Sequence, residues 1–104
     1  MIRHCVFLRY RADVPGHEKD EILNEIRALQ GRLEGLLAVH GGVNVSPEGL
    51  DKGHSEGFIV DFADAAARDR YLADAAHQAT GRRIVAATAG GLDGVFVYDL
   101  ETPE

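Results

Sequence analysis

Residues 2–12, IRHCVFLRYRA, limit most sharply what this chain can fold into. Side chains of a strand alternate between two faces. Here Ile2, His4, Val6, Leu8 and Tyr10 fall on one face, and Cys5 and Phe7 on the other. Apolar groups on both faces predict a strand buried on two sides. The sheet that receives it therefore needs a cover on each face.

The rest of the chain predicts three more strands and helix enough for one cover. Asp13-Val14-Pro15-Gly16 signals a turn. A helix is expected over about 17–30, with Ile22, Leu23, Ile26 and Leu29 in one apolar stripe. Glu18, Asp20 and Glu21 suit its positive N-terminal end, and Gly31 is a stop. Residues 33–37 read as an irregular link and 38–45 as a second strand, where Gly41-Gly42 suggests a bulge or a close backbone approach. The turn-rich segment 46–53 follows. Strand three, about 54–62, sets Phe58, Val60 and Phe62 against Gly57, Ile59 and Asp61. Asp64 is a good N-cap for a helix running to about Leu72. A further helix over about 75–88 ends at Gly90-Gly91, and a last strand over about 93–100 sets Val95 and Val97 against Phe96 and Tyr98.

The order β-α-β-β-α-β predicts an α+β, ferredoxin-like fold: a four-stranded antiparallel sheet with helices on one face. Cys5, Phe7, Ile59, Phe96 and Tyr98 then place apolar groups on the bare face. A second copy packed sheet to sheet in a two-fold homodimer is the simplest cover. The other reading is a monomer with a few scattered exposed apolar groups.

Composition narrows the function classes. A length of 104 residues suits one domain, 1–104, and 45% hydrophobic residues argue against disorder. The single cysteine excludes a disulfide framework and a cysteine-based zinc site, and fits a reducing, cytoplasmic setting. A net charge of −6 is the wrong balance for a phosphate-binding surface, so no nucleic-acid partner is expected. No apolar run approaches the roughly 20 residues of a membrane span, and the first residues lack a signal-peptide layout. Histidines 4, 17, 40, 54 and 77 show no metal-ligand spacing, and the Gly pairs are not phosphate loops. No metal or cofactor is expected.

His77, in Tyr71-Leu72-Ala73-Asp74-Ala75-Ala76-His77, is the most interesting titratable group. Histidine moves protons near neutral pH, and a tyrosine hydroxyl can hold a carbonyl or enolate oxygen. The two share a face only if the chain turns between them, and Asp74 marks a possible break. The plainer reading packs Tyr71 at the core edge and leaves His77 as a helix cap or in water. His4 shares its strand face with Val6 and Leu8, either at one end of the sheet–helix cleft or as a satisfied core histidine. Glu56 shares the face of Phe58 and Val60, in the cleft or solvated at its rim.

The opening Ile2-Arg3-His4-Cys5-Val6-Phe7, the loop Val43 to Leu50, the strand end Asp61-Phe62, the Tyr71–His77 segment and the closing Val95-Phe96-Val97-Tyr98-Asp99 together resemble the stress-responsive dimeric α/β-barrel (Dabb) family. The resemblance covers nearly the whole chain. It implies a ferredoxin-like subunit and a homodimer whose sheets form a barrel. A plant cyclase branch closes a linear poly-β-ketone by intramolecular aldol condensation in a pocket between sheet and helices. By that resemblance His77 is the base, Tyr71 its oxyanion-side partner, and His4, Val6, Leu8, Ile22, Ile26 and Phe58 line the substrate pocket. Where the family commonly reads His-Pro-Ala-His, this chain reads Asp74-Ala75-Ala76-His77, without the proline's rigid turn. The cyclase's aromatic pocket residue on the first helix is Ile26 here, which implies a different cavity shape. The function expected is acid–base chemistry on a small carbonyl compound, of aldol-cyclase, isomerase or lyase type. The alternatives are a non-catalytic small-molecule-binding or stress protein, and a structural dimer with a vestigial cleft.

Overall fold

The computed structural model describes residues 1–103. Strand β1 (Ile2–Leu8) leads into helix α1 (Gly16–Arg27), β2 (Leu36–Val43), β3 (Glu56–Phe62), α2 (Ala65–Ala73), α3 (Ala75–Ala87) and, after a 3₁₀ turn at Gly91–Gly94, β4 (Val95–Glu101). The strands form one sheet in the order β2-β3-β1-β4, with every neighbouring pair antiparallel. This is the ferredoxin-like arrangement.

The even positions of β1 meet the helices. Ile2, Val6 and Leu8 join Phe58, Val60 and Phe62 of β3 in one core with Ile22 and Ile26 of α1, Ala67 and Tyr71 of α2, and Ile84 and Ala87 of α3. Each large apolar side chain so buried contributes about 1.5–3 kcal/mol relative to exposure. Gly41 lets α1 close on β2, because a Cβ there would lie 2.5 Å from the Leu23 side chain. Gly35 has φ of +85° and would place a Cβ 2.5 Å from that of Ala67, so the turn into β2 needs glycine twice over.

Several boundaries differ from the expected ones for local reasons. β1 stops at Leu8, not near residue 12, because beyond it the backbone exchanges partners: the Ala89 N–H donates to the Arg9 carbonyl, and Tyr10 bridges to Thr88. α1 ends at Arg27, and tight i→i−3 bonds carry the chain through Leu29 and Gln30 to Gly31. β2 starts at Leu36, inside the expected link, where a bulge turns Leu36 inward and leaves Leu37 exposed.

The second sheet face bears no helix. Phe7, Phe96 and Tyr98 form an aromatic cluster there, with ring centroids 5.5–6.4 Å apart. Phe96 and Tyr98 are 52% and 41% exposed. Cys5 is buried on this face between its cross-strand partners Ile59 and Tyr98.

Candidate functional site

Asp74 joins α2 to α3. It is the C-terminal cap of one and the N-terminal cap of the other, its carboxylate accepting from the His77 backbone N–H at 3.0 Å. Arg32 binds the same carboxylate at 2.8 Å. The resulting corner folds His77 back over Tyr71, and their ring centroids lie 4.0 Å apart. The capped break thus does what a single straight helix would not.

Tyr71 is fully buried against Phe62 and the edge of His4. Its hydroxyl has no hydrogen-bond partner, and neither has the buried Nδ1 of His77. Burial pushes the Tyr71 phenol well above the ordinary tyrosine range. Burial, then the charge of nearby His4, pushes the His77 imidazole below its usual value, and the Leu72 carbonyl and Asp74 oppose this less strongly. Burial and His4 thus favour the neutral ring.

His4 also meets Tyr71, with ring centroids 5.7 Å apart. The antiparallel register sets it directly opposite Asp99 of β4, and its Nδ1 lies 2.7 Å from the Asp99 carboxylate. The second Asp99 oxygen accepts from Arg68 of α2 at 2.9 Å. Burial raises the Asp99 carboxyl, but the Arg68 and His4 bonds together outweigh it and hold the group below the usual carboxylate value. Asp99 and Arg68 escaped sequence reasoning, because only the β1–β4 register reveals that Asp99 faces His4.

The other expected pocket residues divide. Leu8, Ile22 and Phe58 border a cavity of about 160 Å³ near the Leu8 end of β1. Val6 and Ile26 are buried in the packed core rather than along that cavity. Lys19 stands at its rim, paired with Glu56 at 2.7 Å and 5.1 Å from the Tyr10 ring centroid. Burial, then Glu56, raises the Tyr10 phenol to about 12. Four strand residues, about 13 Å, separate His4 from Leu8. Tyr71 and His77 therefore lie at one end of the sheet–helix interface and the cavity at the other. A larger hollow of about 590 Å³ lies on the bare sheet face, against Phe7, Ile59, Phe96 and Tyr98. Among the described residues, no group of three or more His, Cys, Asp or Glu converges as a metal site, and no helix is long and apolar enough to cross a membrane.

Residues 2–102 match the family model of the stress responsive A/B barrel domain, Dabb. Among solved structures, a dimeric ferredoxin-like protein of unknown function from Jannaschia sp. CCS1 is 31% identical, with a TM-score of 0.91 over 97% of this chain and 98% of that one. The hydroxynitrile lyase of Passiflora edulis is 18% identical, with a TM-score of 0.84 over 99% of this chain and 94% of its own. SnoaB, a cofactor-independent oxygenase from Streptomyces nogalater, is 14% identical, with a TM-score of 0.75 over 99% and 93%. These last two share the fold; at such identity the likeness carries no activity across. No curated protein matches the chain in sequence.

Proposed function

The chain belongs to the stress-responsive α/β-barrel (Dabb) family, and we propose that it is a homodimeric, small-molecule acid–base protein acting on a carbonyl compound at Tyr71 and His77. The observation that carries this reading is the pair of buried polar atoms left without partners, the Tyr71 hydroxyl and His77 Nδ1, on rings 4.0 Å apart. A buried, unpaired hydroxyl costs about 1–3 kcal/mol, so a fold rarely keeps one without a use. An oxygen-bearing ligand seated beside them would satisfy both groups. In its plainest form, His77 takes a proton α to the carbonyl while the Tyr71 O–H bonds the developing enolate oxygen. The weak basicity of His77 suits a neutral imidazole that accepts or donates without carrying charge for long.

Proton abstraction can be read without knowing the natural substrate. Phenylacetone in D₂O exchanges its α-hydrogens when a base and an oxyanion donor act together, and ¹H NMR follows the loss of signal. The expected result is exchange above the buffer rate, reduced about 100-fold or more in Tyr71→Phe and His77→Ala. Binding of phenylacetone with no exchange would support a non-catalytic binding protein instead, as would a ligand held only at Leu8, Ile22 and Phe58.

A further inference from the structure

We propose that His4 is a second acid–base group of this site and that Asp99 and Arg68 are its positioning residues. The inference deepens the acid–base reading above and rests on it.

Tyr71 contacts two imidazoles, and these differ in one respect. No carboxylate hydrogen-bonds the His77 ring; Asp74 accepts from its backbone N–H. The His4 ring meets Asp99 at 2.7 Å, and Asp99 is fixed in turn by Arg68 at 2.9 Å. A carboxylate in this place accepts from Nδ1–H, fixes the tautomer, leaves Nε2 as the basic nitrogen, and stabilises the imidazolium once it forms. His4 is buried and Asp99 only partly exposed, so their hydrogen bond lies largely away from bulk water. Two imidazolium ions so close together would repel. Of the two rings, the one with the carboxylate partner is the better placed to receive a proton in a reaction.

His4 here takes the place of His77 as the base: the α C–H bond of the carbonyl compound breaks and its proton goes to Nε2 of His4, while His77 serves as a hydrogen-bond donor. The electron pair moves into the enolate, whose oxygen accepts from the Tyr71 hydroxyl and from the neutral His77 ring. His4 then returns the proton to carbon or oxygen, which completes an isomerisation, an aldol closure or simple exchange.

The test uses the whole protein with ¹⁵N-labelled histidine. Multiple-bond ¹H–¹⁵N spectra are expected to show neutral His4 as the Nδ1–H tautomer, and Asp99→Asn to abolish that preference. Phenylacetone exchange is expected to fall about 100-fold in both His4→Gln and Asp99→Asn, with near-native thermal melts checking the fold. An Nε2–H tautomer for His4 in the unaltered protein overturns the proposal. So does exchange that survives both variants while His77→Ala loses it, which leaves the Tyr71–His77 reading standing. If the unaltered protein exchanges nothing, the acid–base reading fails and the role of His4 fails with it.

Discussion

The Tyr71 hydroxyl and Nδ1 of His77 are both buried and both unpartnered, on rings whose centroids lie 4.0 Å apart. The arrangement puts stability and function in opposition. Tyr71→Phe removes a buried polar atom with no hydrogen bond and leaves the ring packing against Phe62 and His4. The variant is expected to be more stable by about 1 kcal/mol. In a chain of this size that is a melting temperature higher by about 5 °C. The same change should abolish exchange of phenylacetone. A variant that is destabilised would mean that the hydroxyl has a structural partner.

His77 makes stability depend on pH. Its folded pKa is lowered by burial and by His4, so the unfolded chain binds a proton there at a higher pH than the native protein does. Its contribution is present above the ordinary histidine pKa, about 6.5. It is lost as the pH falls from there through the lower folded value. The melting temperature should therefore decline on acidification from pH 7 towards pH 5. In His77→Gln that part of the decline should vanish. Thermal melts at half-unit pH steps decide it, and an identical slope in both proteins would contradict the burial argument.

Asp74 supplies the corner between α2 and α3. Its carboxylate caps α3 through the His77 N–H and binds Arg32. Asp74→Ala loses both contacts and should lower the melting temperature by about 5 °C, in line with a lost N-cap. Asp74→Asn keeps a capping oxygen but no charge, and should lose less than half as much. Because one of these bonds holds the backbone of His77, the imidazole signals should move more in the Ala variant than in the Asn variant. Equal shifts would show that Arg32, not the cap, sets the corner.

Alternation makes the two sheet faces readable in the sequence: Phe58, Val60 and Phe62 with Val6 and Leu8 on one, Phe7, Phe96 and Tyr98 on the other. The break at Asp74 was legible too, because an aspartate between two helical runs is a capping residue. The His4–Asp99–Arg68 chain was not. His4 and Asp99 are separated by 95 positions, and nothing local fixes the register that makes them opposite. Where the sheet–helix interface is filled and where it opens was equally hidden. That depends on how Ile26 and Val6 pack together, which a pattern of apolar letters does not specify.

The bare face makes the last prediction. Phe96 is half exposed and sits within 5.5 Å of Tyr98 and 6.4 Å of Phe7, centroid to centroid. The similar protein from Jannaschia sp. CCS1 shares this fold and is dimeric. A second copy laid on this face would bury the cluster and cover β1 on both sides, as its sequence demands. Phe96→Glu then places two unpaired carboxylates in or beside a dry interface, one from each copy, a cost that a dimer of this kind cannot offset. Light scattering at micromolar concentration should give twice the chain mass of 11.3 kDa for the unaltered protein and once that mass for the variant. The Tyr71–His77 corner lies on the helix side of the sheet, so the variant's His77 signals should stay in place if the subunit folds without its partner. A monomeric mass for the unaltered protein would refute the dimer and leave the aromatic cluster as exposed surface.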